Sequence, residues 1–176
     1  MTIDPAAVPQ LPFTQSAVTI NNFLNKVGPG VDQAVLADGI VEAARSMAHA
    51  QFPRRVIIGV VSGMKTDGSS VDGPRLADAL RRSAASLWIL EGRPSFGGGG
   101  SAPMREAAMT IAAPVSGGMA LSVSVGNALE TQAKRIGEAI AAQYAVSYAA
   151  PSAATRLSVT VTTKDAKVLA PGWTVR

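Results

Sequence analysis

Apolar side chains first recur at helical spacing after Ser16: Ile20, Phe23, Leu24 and Val27 share one face, and Gly28-Pro29-Gly30 closes the segment. A second helix is predicted over about 32–50, with a stripe of Val35 or Leu36, Ile40, Ala43 or Ala44, and Met47; Pro53 marks its exit. After Arg55 polar residues disappear as far as Val61, and the run is rich in β-branched side chains. That composition predicts a strand buried on both faces, as in a parallel sheet covered by helices. A polar loop fills 62–73, Pro74 suits a first helical position, and Leu76, Leu80 and Ala84 carry the next helix. Residues 86–91 form a short apolar strand, and four glycines and a serine (97–101) make a loop. A short Ala/Met helix runs to about Ile111, 114–118 turns, and 119–125 returns as a strand. Asn127 and Glu130 make an N-x-x-E helix start, and Leu129, Ala133, Ile136 and Ile140 trace the face that follows. The tail changes period: 144–149 reads as a strand, and Leu157, Val159 and Val161 alternate with Ser and Thr, which suits an antiparallel edge with one wet face.

This order predicts an α/β fold of three layers: a mostly parallel sheet, helices on both faces, and an antiparallel C-terminal edge. At 176 residues the chain makes one domain, and no internal repeat divides it. With 47% hydrophobic and 16% charged residues it is too apolar for a disordered chain, yet no apolar run reaches the roughly 18 residues of a membrane span. Aromatics are only 5% and alanine abounds, so the core needs closely approaching backbones.

The absence of Cys removes thiol nucleophiles, disulfides, iron–sulfur clusters and Cys zinc sites. The one His, His49, falls near a helix C-terminus, where it suits the dipole better than a catalytic triad. The net charge of +4 is spread thinly, with short pairs at Arg54-Arg55 and Arg81-Arg82 and no interleaved aromatics. Nucleic acid is therefore not an expected partner. The first fifteen residues carry Asp4 and three prolines without an uninterrupted apolar stretch, so they do not read as a signal peptide.

Several stretches, in this order, resemble the C-terminal two-thirds of a von Willebrand factor A-type domain, and more narrowly the bacterial VWFA-related family. Residues 30–40 stand where that family has a Gly-Gly-Thr-x-Leu-x-Asp-Ala helix start. The run over 54–63 stands where it has an apolar strand ending in Thr-Asp-Gly or Ser-Asp-Gly, and 87–90 matches the next strand. Ser116-Gly117-Gly118 matches a Ser/Thr-Gly-Gly turn. Gln143-Tyr144, Tyr148, Pro151 and 157–161 resemble the family's closing helix, Q-Y strand and last strand. The resemblance implies an extended segment over 1–15, a partial von Willebrand A-like domain over 16–176, and a first central strand that is missing. It also implies a protein-interaction or adhesion-type module without enzymatic activity, a protein ligand or a complementing chain as partner, room for oligomers, and an extracytoplasmic setting.

Such domains hold a divalent cation through three loops, and the departures here fall on those loops. No Asp-x-Ser-x-Ser is present, Val31 stands at the second loop's Thr, and Ser62 stands near the third loop's Asp. No metal or other cofactor is therefore expected, unless Asp32 or Asp67 rescues a Mg²⁺ site, since hard cations want about six oxygens including carboxylates. The ligand surface implied by the family is built from 28–32, 62–72 and 92–101, with Asp32, Ser62, Asp67, Ser69 and Asp72 as its candidate contact residues.

Two other readings start from different residues. Gly59, Lys65 and Thr66 hold P-loop spacing after a buried strand, which would make the chain a nucleotide-binding enzyme. Met64 occupies the position that needs a second glycine, and the residues after Thr66 read as a turn instead of a helix. The third reading is a C-terminal piece that needs a complementing strand, because a sheet without its central strand leaves open edges. Asp67 and Asp72 share a loop with no evident partner base, so no catalytic constellation is expected. Trp88, Trp173, Tyr144 and Tyr148 read as packing residues, Tyr144 and Tyr148 against the terminal helix.

Overall fold

The protein is described from a computed structural model, over residues 1–3, 6–28, 33–49, 54–62, 66–93, 103–124, 128–144, 159–164 and 168–171. Two of its helices begin where a side chain satisfies one of the first free amides. Ser16 caps α1 (Ala17–Leu24), its Oγ accepting the Thr19 N–H at 3.2 Å. Asp72 caps α3 (Gly73–Ser83) in the same way, accepting the Arg75 N–H at 2.9 Å, with Pro74 in the first turn as the sequence predicts. Between them lies α2 (Leu36–Ala48), which starts at Val35 without any cap from its own segment. A composite helix follows from Pro103: α4 (Pro103–Ala107), a π-helical turn (Ala108–Ala112) and α5 (Ala113–Val115). The last is α6 (Ala128–Ala141), and His49 sits at the C-terminus of α2 as expected.

Three parallel strands form the sheet, in the order β2 (Arg55–Ser62), β4 (Ala85–Arg93) and β5 (Met119–Ser124). A separate two-residue pair joins β1 (Gln33–Ala34) to β3 (Thr66–Asp67), also parallel. One face of the large sheet, through Ile57, Val61, Leu87 and Ile89, packs against Leu36, Ile40 and Ala44 of α2, Leu76 and Leu80 of α3, and the alanines of the π turn. The other face, through Trp88 and Leu90, packs under Ile136 of α6. The fold is thus α/β, with a parallel sheet flanked by helices. Trp88 is a core residue, in keeping with its sequence reading.

One expectation needs correction, and a second falls largely outside the described residues. The apolar run of β2 predicts burial on both faces. Ile57 and Val61 are buried, but Ile58 and Val60 are 55% and 60% exposed, because α6 lies over β4 and β5 and, among the described residues, β2 is the sheet's edge. The alternation in the tail predicts an antiparallel edge. Residues 145–158 lie outside the described ones, and 159–162 are exposed and in no strand. Tyr144 is 91% exposed instead of packed on α6. Among the described tail residues, Leu169 rests against the Trp88 cluster and Pro171 bridges to Ser116.

Among the described residues no strand precedes β1. The N-terminal segment is nonetheless docked. The Ile3 carbonyl accepts the Val35 N–H at 2.9 Å, and its side chain lies so close to Gly39 that a Cβ there would come within 2.3 Å of it.

Candidate functional site

Because β2, β4 and β5 run the same way, their C-terminal ends line one edge of the sheet. In open α/β sheets this edge is where ligands bind, since loops and helix N-termini meet there. The loop that leaves β2 is braced onto α2 at this edge. Ser69 Oγ accepts the Ala37 N–H at 2.9 Å and lies 3.4 Å from the Asp38 N–H. This is the cap that α2 lacks locally. Ser69 Oγ donates in turn to Asp67 Oδ1, which also accepts the Ser69 N–H at 3.0 Å. Asp38 answers from the helix, its carboxylate accepting the N–H groups of Ser70 at 3.0 Å and Val71 at 2.9 Å. The two segments therefore hold each other in both directions.

A second cluster stands at the end of the central strand. Glu91 is buried; its Oε1 lies 3.3 Å from Arg105 Nε of α4, and its Oε2 accepts a hydrogen bond from Ser122 of β5. The arrangement ties α4 and β5 to β4 through a single carboxylate. It leaves Glu91 occupied inside the protein, where burying a charge requires such partners.

The candidate residues separate accordingly. Asp67 and Ser69 come together, in direct hydrogen-bond contact. Asp72 is engaged as the α3 cap. Ser62 ends β2, opposite Gly92 of β4. Asp32 lies outside the described residues, as do 29–31, 63–65 and 94–102, so 66–72 is the described core of the implied ligand surface. Asp38, Glu91, Arg105 and Ser122 are not among the sequence candidates. Glu91 was legible in principle: it shares the face of Leu87 and Ile89, and an acid at an inward strand position signals a buried polar contact.

Among the described residues the donors do not assemble a site for a hard divalent cation. Asp67 Oδ2 is a buried carboxylate oxygen without a hydrogen-bond partner. Among the described residues, no three His, Asp or Glu side chains converge where they could hold a metal ion. Among the described residues, that oxygen stands without the further carboxylates expected among the roughly six oxygen ligands of Mg²⁺. The phosphate-loop spacing is not matched by the required geometry either. Thr66 lies in β3 instead of opening a helix, and α3 starts only at Gly73. No helix is long and apolar enough to cross a membrane among the described residues. Compared with models of protein families and with curated proteins, the chain matches none.

Proposed function

We propose that the chain is a non-enzymatic protein-interaction module of von Willebrand A type, meeting a protein ligand with the loops at the C-terminal edge of its sheet. The reading rests on the resemblance in sequence order. The structural observation that supports it is the brace of Ser69, Asp67 and Asp38. It fixes a loop of small polar residues on a rigid helix end, which limits the ordering cost of binding. Ser70 and Asp72 are exposed on this loop and supply polar contacts. Recognition is by loop shape and hydrogen bonding, without a bridging cation.

Two measurements test this. Thermal melting in millimolar Mg²⁺ or Mn²⁺ is expected to match melting in chelator; a metal-dependent rise in Tm would overturn the metal-independent mode. In crosslinking against proteins of the host, a partner is expected to attach through 66–72. Ser70→Arg should abolish that attachment with only a small fall in Tm, from loss of the hydroxyl's contacts with Asp38 at 3.2 and 3.4 Å. A partner retained by this variant would place the interface elsewhere.

A further inference from the structure

β2 is eight residues long and pairs along one edge with β4, in unbroken register from Arg55 opposite Ala85 to Ser62 opposite Gly92. Among the described residues nothing pairs with its other edge. Soluble proteins blunt such an edge with lysine, proline, a bulge or an inward charge. Val56-Ile57-Ile58-Gly59-Val60-Val61 has none of these, and the continuous register leaves no bulge.

The exposed face of β2 is also made as an interior. Ile58 is in register with Trp88, and Val60 with Leu90. Trp88 and Leu90 are 0% and 3% exposed, whereas Ile58 and Val60 are 55% and 60%. One strand over, the same surface passes from full burial to water. The other edge of the sheet differs, since β5 is shorter and exposes Ser122 and Ser124. An open ladder of N–H and C=O groups is matched by an extended backbone, and exposed apolar residues two apart are matched by alternating apolar side chains.

The chain carries a segment with both properties: β2 itself. Set antiparallel about a two-fold axis through Ile58, two β2 strands place Ile58 against Ile58 and Val56 against Val60, with Ile57 against Gly59. Arg55 then meets Val61, and Arg54 meets Ser62, so no like charges face each other. Opposed residues in an antiparallel pair point to the same face, so the apolar set stays together. We infer that the protein self-associates as a two-fold dimer in which β2 pairs antiparallel with β2 of a second copy, extending three strands to six. This surface is separate from the loop edge and does not depend on the proposed ligand there.

The test uses the full chain in sedimentation equilibrium. The wild type is expected at twice its 18.0 kDa mass at tens of micromolar. Ile58→Lys and Ile58→Glu each place like charges across the axis, and each alone should weaken the dimer at least tenfold. Both side chains would be more than half exposed in the monomer, so far-UV circular dichroism and Tm at low concentration should stay near wild type. Val60→Lys serves as a second variant of the same kind if either fails to fold. Mixing the Ile58→Lys and Ile58→Glu variants should restore the dimer as a heterodimer, which general misfolding could not produce. A monomeric wild type would overturn the inference, including the case where a different polypeptide takes the edge. So would a dimer untouched by Ile58→Lys and Val60→Lys, or variants whose mixing restores nothing.

Discussion

Ser116 is buried, and its hydroxyl makes two hydrogen bonds: it accepts the Leu87 N–H of β4 and donates to the Ala113 carbonyl of α5, both at 2.8 Å. Gly117 follows with φ of +78°, a conformation that side chains disfavour, and a Cβ there would meet Pro171 N at 2.8 Å. Gly118 then runs so close to β4 that a Cβ would lie 1.9 Å from the Leu87 carbonyl oxygen. The Ser-Gly-Gly triplet is thus explained residue by residue: one hydroxyl to anchor the turn and two missing side chains to bring it against the central strand. Gly118→Ala is expected to cost about 4 kcal/mol or to prevent folding, as backbone clashes in a core do. Gly137, within α6, has nothing within 4 Å of its Cβ position, so Gly137→Ala is expected to stabilise by about 0.5–1 kcal/mol. Urea unfolding of the two variants checks both signs.

At the scale of elements, helix ends decide what holds the loop edge in place. Ser69→Ala removes the hydroxyl that caps α2 and satisfies Asp67, and should cost about 1–2 kcal/mol. Amide exchange at Ala37 and Asp38 should accelerate more than exchange in β4, since the opening is local. In α3 a different network operates: Asp78 pairs with Arg81 and, at 2.7 Å, with Arg82. The Arg81 hydrogen bond, reinforced by the charge of Arg82, holds the Asp78 carboxyl below its ordinary value of 3.8. A lowered value means the folded state favours the charged form. The contribution is therefore present above the ordinary value and is lost as the pH falls through the folded one. Asp78→Asn should lower Tm slightly at neutral pH, and the difference should shrink as the pH falls below the ordinary carboxylate value.

For the whole molecule, the distribution of burial is uneven in a way that has thermodynamic consequences. β4 is covered on both faces, whereas β2 is covered on one, and α1 buries none of its residues. If β2 completes itself with a second copy, unfolding is linked to dissociation, and Tm should rise with protein concentration. Scanning calorimetry across a hundredfold range of concentration checks this, and Ile58→Lys should flatten the dependence. The loop edge lies at the ends of the strands and the outer edge of β2 along their side, so the proposed ligand and the proposed dimer would not compete for one surface.

Periodicity in the sequence was enough to locate α2, α3, α6 and the three sheet strands, because each carries a spacing that only one kind of element can bury. The core role of Trp88 is local in the same sense. What a linear pattern cannot carry is which neighbour an apolar face receives. β2 and β4 read alike, yet the placement of α6 over β4 and β5 leaves β2 half uncovered. The contact between Ser69 and the amides of α2 spans 32 positions, and that between Ser122 and Glu91 spans 31. Asp67 and Ser69 could be picked out as polar loop residues, but only packing made Ser69 a brace and left Asp67 with a free buried oxygen. Local sequence fixes the backbone states open to each segment, and the competition among faces for burial settles their partners.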